Sequence, residues 1–119
     1  MLKLFALLAL AGALVVAGSS AFAAGPQTIT GTDGPGFTIT LKQHGKTVKT
    51  LAPATYVFVI QDESNIHNFH LTGPGVNKKT GVVATGKSTW RLTLRRGTYR
   101  YVCDPHVLTM KGKFIVQAP

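Results

Sequence analysis

The sequence predicts an all-β fold in which about seven or eight short strands pack as a two-sheet sandwich. After residue 24, no stretch of ten or more residues shows helical periodicity, whereas short alternating segments recur between turn residues. The turns are marked by Gly, Pro and Asp in clusters such as Gly34-Pro35-Gly36 and Gly73-Pro74-Gly75. About 95 residues follow position 24, which is enough for one such core and leaves no room for a second domain.

Eight segments are predicted as strands: 27–30, 37–42, 47–50, 55–61, 66–72, 88–94, 98–103 and 113–117. Because side chains alternate between the two faces of a strand, every second residue of each segment is expected to face the core. The predicted core sets are Phe37, Ile39 and Leu41; Tyr56, Phe58 and Ile60, or the intervening Val57 and Val59; and Trp90, Leu92 and Leu94. Trp90 is expected to be a core anchor rather than an electron relay.

Residues 1–24 are predicted to be a signal peptide. Lys3 supplies the positive start, residues 4–17 form an apolar run, and Ala21-Phe22-Ala23 is a small-x-small cleavage pattern. An uncleaved membrane anchor is the alternative, but glycines interrupt the apolar run, which is shorter than the roughly 20 residues that span a bilayer. We therefore expect export to the periplasm or the cell exterior, without stable membrane insertion after cleavage.

The exported part is strongly basic. Without Lys3 it keeps twelve Lys and Arg residues against four acidic ones. This balance favours an acidic partner and acts mainly on the rate of encounter. Nucleic acid is not expected as a partner, because the basic residues are scattered and no recognition helix or aromatic stacking platform accompanies them.

A candidate metal site includes the single cysteine. In an oxidising compartment Cys103 is an unpaired thiol, an intermolecular bridge or a metal ligand. His106 and Met110 follow it within a short loop, and His67 lies on a separate predicted strand. One thiolate, two imidazoles and a thioether are the ligand set of a mononuclear electron-transfer copper site. The thioether favours copper over zinc, for which methionine is a poor ligand.

Two other histidines compete for a role. His67 and His70 are three residues apart, so on a regular strand they would point to opposite faces and would not serve one metal. His67 is preferred, with His70 kept as the alternative ligand, because alternation with Phe69 and Leu71 places His67 on an apolar face. His44, in a His-Gly turn, is expected to be a solvated loop residue.

These residues resemble the cupredoxins, the type 1 blue copper proteins, and in particular the plastocyanin, amicyanin and pseudoazurin branch. The resemblance rests on His67-Asn68, on Tyr101-Val102-Cys103-x-Pro105-His106 and on Met110-x-Gly112, and it covers nearly all of residues 25–119. It implies a Greek-key β-sandwich that is a copper-binding domain, with His67, Cys103, His106 and Met110 as ligands of one copper ion. It also implies that the Asn68 amide ties the His67 strand to the cysteine loop.

The resemblance further implies that electrons enter and leave at the exposed edge of His106. An apolar patch around that edge is expected from Pro74, Pro105, Val107 and Leu108. Basic residues that could steer an acidic redox partner are Lys78, Lys79, Arg95, Arg96, Lys111 and Lys113.

The sequence therefore predicts an exported, monomeric protein that carries single electrons by Cu(I)/Cu(II) cycling. A copper-binding protein for buffering or delivery is the alternative, because the same four ligands would serve it. An enzyme such as a copper nitrite reductase or a multicopper oxidase is not predicted, since a second copper centre needs more histidines than one small domain with four supplies.

Overall fold

A computed structural model describes residues 11–18 and 24–119 of the chain. Most of the predicted signal peptide, residues 1–24, lies outside the described residues. Within the described part, no helix has the length and apolar character that crossing a membrane requires.

The described residues form ten β-strands and one short 3-10 helix, in the order β1 (Gln27–Asp33), β2 (Ile39–Gln43), β3 (Lys46–Thr47), β4 (Thr50–Leu51), β5 (Ala54–Asp62), β6 (His70–Gly73), β7 (Val76–Lys79), β8 (Gly86–Leu94), β9 (Gly97–Val102), the 3-10 helix (Asp104–His106) and β10 (Lys111–Val116). They form two five-stranded sheets. Sheet A has the order β3-β2-β1-β5-β8, and sheet B has the order β4-β10-β9-β6-β7. The predicted all-β sandwich is confirmed.

Alternation along the strands builds the core between the sheets. Tyr56, Phe58 and Ile60 of β5 are buried, as the first of the two sequence alternatives predicts. They share one buried core with aromatic residues beside and within sheet B, where Phe69, just before β6, stacks on Tyr101 of β9 with ring centroids 5.6 Å apart. Trp90 is buried beside Phe69, so it is a core anchor as expected.

Three segments differ from the sequence prediction. The predicted strand 47–50 is divided between β3 in sheet A and β4 in sheet B, because the chain passes from one sheet to the other around the buried Val48. β7 was not predicted, since three of its four residues are polar and exposed at a sheet edge, where no alternation is required. The predicted strand 66–72 becomes regular only at His70.

Phe37 is also placed differently. It was predicted to share a buried face with Ile39 and Leu41, but it precedes β2 and is 61% exposed. Leu41 is buried and Ile39 is partly buried, as the alternation predicts. The turn between β1 and β2 ends with a hydrogen bond from Gly34 N to Thr38 O, and this keeps Phe37 out of the ladder.

Two buried carboxyl groups close the adjacent ends of β1 and β5. Asp33 and Asp62 are directly paired residues of these parallel strands, and both are buried. Neither oxygen of Asp33 has a hydrogen-bond partner among the described residues. Burial, followed by the adjacent Asp62 carboxyl group and the charge of Glu63, raises the pKa of Asp33 to about 7.

This pair should make stability fall as pH rises. Between pH 3.8 and about 7 the folded state keeps the Asp33 proton while the unfolded state has lost it, so the free energy of unfolding decreases across this window. Asp33→Asn should flatten the decrease and raise stability at pH 8 by roughly 1–4 kcal/mol, since one pKa unit corresponds to about 1.4 kcal/mol.

Urea unfolding of the metal-free protein at pH 5 and pH 8 measures this effect. Glu63→Gln is the comparison variant, because it removes only the smallest cause of the raised pKa and leaves the buried pair intact, so it should change the pH slope much less than Asp33→Asn. Equal pH slopes for wild type and Asp33→Asn would show that Asp33 is already ionised in the folded protein.

Candidate metal centre

The loop from Cys103 to Met110 is closed by its own backbone. β9 ends at Val102 and β10 begins at Lys111, and these two residues are paired in the antiparallel ladder. Cys103 N donates to Met110 O at 3.0 Å, and Met110 N donates to His106 O at 2.8 Å. A loop closed in this way holds its three candidate ligand residues together before any metal arrives.

A single 3-10 turn brings His106 back toward the cysteine. The turn spans Asp104–His106 and has Pro105 as its second residue. A hydrogen bond from His106 N to Cys103 O at 2.9 Å closes it. Proline suits this place because its φ is already restricted and its missing N–H is not needed. The result is that His106 Nδ1 lies 3.5 Å from Cys103 Sγ.

His67 arrives from the other side of the sandwich end. It lies in the segment between β5 and β6, is fully buried, and points its Nδ1 at the same place. This atom is 3.7 Å from Cys103 Sγ and 3.1 Å from His106 Nδ1. The structure thus brings together the donor atoms of His67, Cys103 and His106.

The triangle of donor atoms has the size of a metal site. A point equidistant from atoms at separations of 3.1, 3.5 and 3.7 Å lies about 2.0 Å from each of them. Metal–imidazole bonds are about 2.0–2.1 Å and zinc–thiolate bonds about 2.3 Å, so one ion fits among the three atoms. The donor set of two imidazoles and a thiolate suits copper.

Met110 is fully buried and belongs to the same loop. Its backbone is hydrogen bonded to both Cys103 and His106, so its position in the chain is set by the two predicted ligands of that loop. The assignment of its thioether as a ligand stays a prediction.

Asn68 connects the two sides of the site. Its side-chain Nδ2 donates to Asp104 Oδ2 at 2.8 Å and to Thr80 O at 3.2 Å, and its Oδ1 accepts from Asp104 N at 2.8 Å. Its backbone N–H also donates to Cys103 Sγ at 3.4 Å. Asn68 therefore joins the His67 segment to the cysteine loop.

Phe37 is a site residue that the sequence reasoning missed. Its ring meets the rings of His67 and His106 edge-on, with centroids 5.1 and 4.9 Å away. The β1–β2 turn can pass this close because residue 34 is glycine with φ +72°. A Cβ there would lie 2.9 Å from Ser64 Cβ and 3.4 Å from His67 Cδ2. In the sequence, the glycine next to a proline predicted a turn. It did not indicate that this turn lies against the two histidines.

The remaining histidines lie away from the triangle. His70 opens β6 and contacts Asp104 and Asn77 instead of Cys103. His44 is exposed in the β2–β3 turn with φ +49°, as a solvated loop residue was expected to be. Burial alone would raise the pKa of Asp104, but hydrogen bonds from His70 and Asn68 and the charges of His70 and Lys79 lower it overall.

The apolar surface at this end differs in part from the predicted patch. Val107 and Leu108 are 47% and 83% exposed beside His106, as expected. Pro74 does not join them. It lies in the β6–β7 turn at the opposite end of sheet B, against Gly97 and the Tyr99 hydroxyl. Phe37, and not Pro74, belongs to the apolar surface beside His106.

The profile of the family described as "Copper binding proteins, plastocyanin/azurin family" matches residues 38–117. No curated protein sequence matches the chain.

Among solved structures, the fold is similar to that of rusticyanin. A methionine-to-glutamine variant of rusticyanin is 22% identical with a TM-score of 0.58, over 79% of this chain and 80% of that one. Reduced rusticyanin is 22% identical with a TM-score of 0.56, over 81% and 82% of the two chains. Rusticyanin from Thiobacillus ferrooxidans is 25% identical with a TM-score of 0.55, over 79% of each chain.

Asn68→Ala should destabilise the protein before any metal is bound. It leaves the Thr80 carbonyl and the Asp104 N–H without their partner, and each buried unsatisfied group costs about 1–3 kcal/mol. We expect a loss of roughly 2–4 kcal/mol in the free energy of unfolding, measured by urea unfolding of the metal-free protein. Asn65→Ala, at an exposed position three residues earlier, should change it little. Equal effects of the two substitutions would contradict a connecting role for Asn68.

Proposed function

The chain belongs to the plastocyanin/azurin family of copper-binding proteins, and we propose that it carries single electrons between redox partners. The observation that supports this most directly is the triangle formed by His67 Nδ1, His106 Nδ1 and Cys103 Sγ. We propose that these three atoms hold one type 1 copper ion, with the Met110 thioether as a weaker fourth ligand. When bound, copper supplies the Cu(I)/Cu(II) couple.

The protein's own part is to keep the ligands still. Cys103 N–H and its carbonyl are both bonded within the loop, and His67 is packed without solvent exposure. Ligands held this firmly move little when the charge of the metal changes, which favours rapid electron exchange. The Asn68 N–H bond to Cys103 Sγ also draws electron density from the thiolate and so tunes the potential.

Burial favours an electron carrier over copper buffering or delivery. Delivery requires that an acceptor protein reach the metal and replace the ligands one by one. Here His67 and Cys103 are both fully buried, and only His106 is partly exposed. An acceptor could approach the edge of His106 for an electron but could not reach the thiolate without opening the loop.

We propose that redox partners dock on the apolar end around His106. This surface consists of Phe37, Ile66, Val107 and Leu108, each at least 47% exposed. A cluster of exposed apolar side chains of this kind is typical of a surface that another protein covers. Brief docking there would place the partner's redox centre near the exposed edge of one ligand.

We further propose that the partner is acidic. Four cations lie on the outer face of sheet B, near the end that carries the candidate site: Lys79, Arg100, Lys111 and Lys113. Lys111 and Lys79 flank Val102 and His70 in one row, and Lys113 flanks Arg100 in the next. Arg100, Lys111 and Lys113 line a surface cleft of about 420 Å³. Arg95 and Arg96, also predicted to steer a partner, lie in the β8–β9 turn at the opposite end.

Export is part of the proposal. Its support is the sequence of residues 1–24, with a positive start, an apolar run and a small-x-small pattern. We therefore propose that residues 25–119 act in the periplasm or outside the cell.

Adding Cu(II) to residues 25–119 should give an intense visible band from thiolate-to-Cu(II) charge transfer. Cys103→Ser and His67→Ala should each abolish the band, because each removes one corner of the triangle. Met110→Leu should keep the band and raise the reduction potential, since loss of a weak donor destabilises Cu(II) more than Cu(I). Visible absorption and redox titration measure these outcomes.

Only the faint absorption of a nitrogen and oxygen site in the wild-type protein would rule out type 1 copper. Copper loss during repeated oxidation and reduction would instead support buffering or delivery. An unchanged potential and spectrum in Met110→Leu would make Met110 a core residue and not a ligand.

The cationic face should accelerate electron exchange with anions. We expect oxidation of the reduced protein by hexacyanoferrate(III) to slow as ionic strength rises. Salt screens the attraction between the cations and the anionic oxidant, and the screening length is about 10 Å at 0.1 M salt. Lys111→Glu with Lys113→Glu should lower the second-order rate constant several-fold at low salt and flatten its salt dependence. Stopped-flow absorption at several salt concentrations measures both.

Arg95→Glu with Arg96→Glu is the matched control, since it reverses the same charge at the far end of the sandwich. Equal slowing by both pairs would show that net charge alone acts. A rate insensitive to salt would leave the apolar end as the docking determinant.

A further inference from the structure

His70 makes no hydrogen bond to the donor triangle itself, but it lies within a hydrogen-bond network that does. Its Nδ1 is 2.8 Å from Asp104 Oδ1, and its Nε2 is 2.7 Å from Asn77 Oδ1. The imidazole side chain is about one-fifth exposed. A carboxylate oxygen only accepts hydrogen bonds, so Nδ1 of His70 donates to Asp104. His70 thereby joins β6, β7 and the cysteine loop.

Asp104 is the residue through which this network reaches the site. It follows Cys103 directly and starts the 3-10 turn that carries His106. Its Oδ2 is held by Asn68 and its Oδ1 by His70, while its N–H donates to Asn68 Oδ1. With both carboxylate oxygens occupied, the Asp104 side chain cannot rotate without breaking bonds to two residues.

The orientation of Asn68 in turn bears on the sulfur. The Asn68 side chain is fixed by Asp104 and Thr80, and its backbone N–H donates to Cys103 Sγ at 3.4 Å. A hydrogen bond to the thiolate draws electron density from sulfur and favours Cu(I) over Cu(II). Freedom at Asp104 would loosen Asn68 and weaken this bond.

We propose that His70 is a positioning residue that, through Asp104 and Asn68, holds the Cys103 sulfur in place and raises the reduction potential of the copper site. This inference rests on the proposed function of that site. It gives His70 a role that is neither a metal ligand nor an exposed strand position. Loss of the His70 donor frees Asp104 Oδ1, weakens the bond to sulfur and lowers the potential.

The decisive comparison is His70→Leu against His70→Asn. The two side chains are similar in size, but only asparagine keeps a donor near the position of Nδ1. His70→Leu should raise the Cu(II)/Cu(I) ratio about tenfold at a fixed ambient potential, which is a fall of about 59 mV for a one-electron couple. His70→Asn should recover most of this change. His44→Asn, in the exposed turn, should leave the potential unchanged.

Two further variants keep the test decisive if His70→Leu does not fold. Asn77→Ala removes the second partner of His70 at an exposed position, and should lower the potential by less. Asp104→Asn combined with His70→Leu should have less effect on the potential than the sum of the single changes, because both break the same connection. Equal potentials for wild type, His70→Leu and Asn77→Ala would overturn the proposal, as would equal shifts in His70→Leu and His70→Asn.

The metal-free protein gives an independent measurement. Hydrogen exchange of the Asp104 amide, which donates to Asn68, should be several-fold faster in His70→Leu than in wild type. The Tyr101 amide, in the interior of β9, should exchange at an unchanged rate. If the wild-type protein formed no charge-transfer band with copper, the proposed function would fail. Faster Asp104 exchange would still show the positioning by His70, and unchanged exchange would refute it.

Discussion

The candidate site depends on the connection between Asn68 and Asp104. These two residues are 36 positions apart in the chain. Two hydrogen bonds join them, and a third runs from the Asn68 backbone N–H to Cys103 Sγ. Together with β9, β10 and the hydrogen bond between His70 and Asp104, this connection attaches the cysteine loop to the sandwich. With it, His67 on one segment and Cys103 on the other are held at a fixed separation. Hydrogen bonds within the chain therefore set much of the geometry of the candidate metal site.

The site also separates rigidity from access. His67 and Cys103 are buried without solvent exposure, whereas His106 lies partly at the surface between Phe37, Val107 and Leu108. A buried thiolate is protected from solvent and oxidants, and its surroundings have a low dielectric constant that strengthens each hydrogen bond to sulfur. The exposed edge of one imidazole is then sufficient for contact with a partner. Phe37 packs edge-on against both rings on this side of the site.

The surrounding fold carries two charge patterns that act at different ranges. On the outer face of sheet B, exposed cations on neighbouring strands reinforce one another because strand register brings them side by side. Inside the sandwich end, Asp33 and Asp62 are brought together by the parallel pairing of β1 and β5, where water cannot screen them. In the proposed function, the first pattern influences how a partner approaches. The second is expected to reduce the stability of the folded chain as Asp33 ionises.

The sequence alone determined the all-β class, most of the core and the residues from which a copper site could be built. Alternation limited the β5 core to Tyr56, Phe58 and Ile60 or the valines between them, and the one cysteine with His106 and Met110 defined the loop, because these signals depend only on neighbours along the chain. Tertiary structure decided the rest. It divided residues 47–50 between the two sheets and placed Pro74 at the end of sheet B that lies away from His106. It also brought the Phe37 ring against His67 and His106. It also gave His70 its contacts with Asp104 and Asn77. Contacts between residues tens of positions apart follow from sheet pairing and loop closure, which local periodicity does not encode.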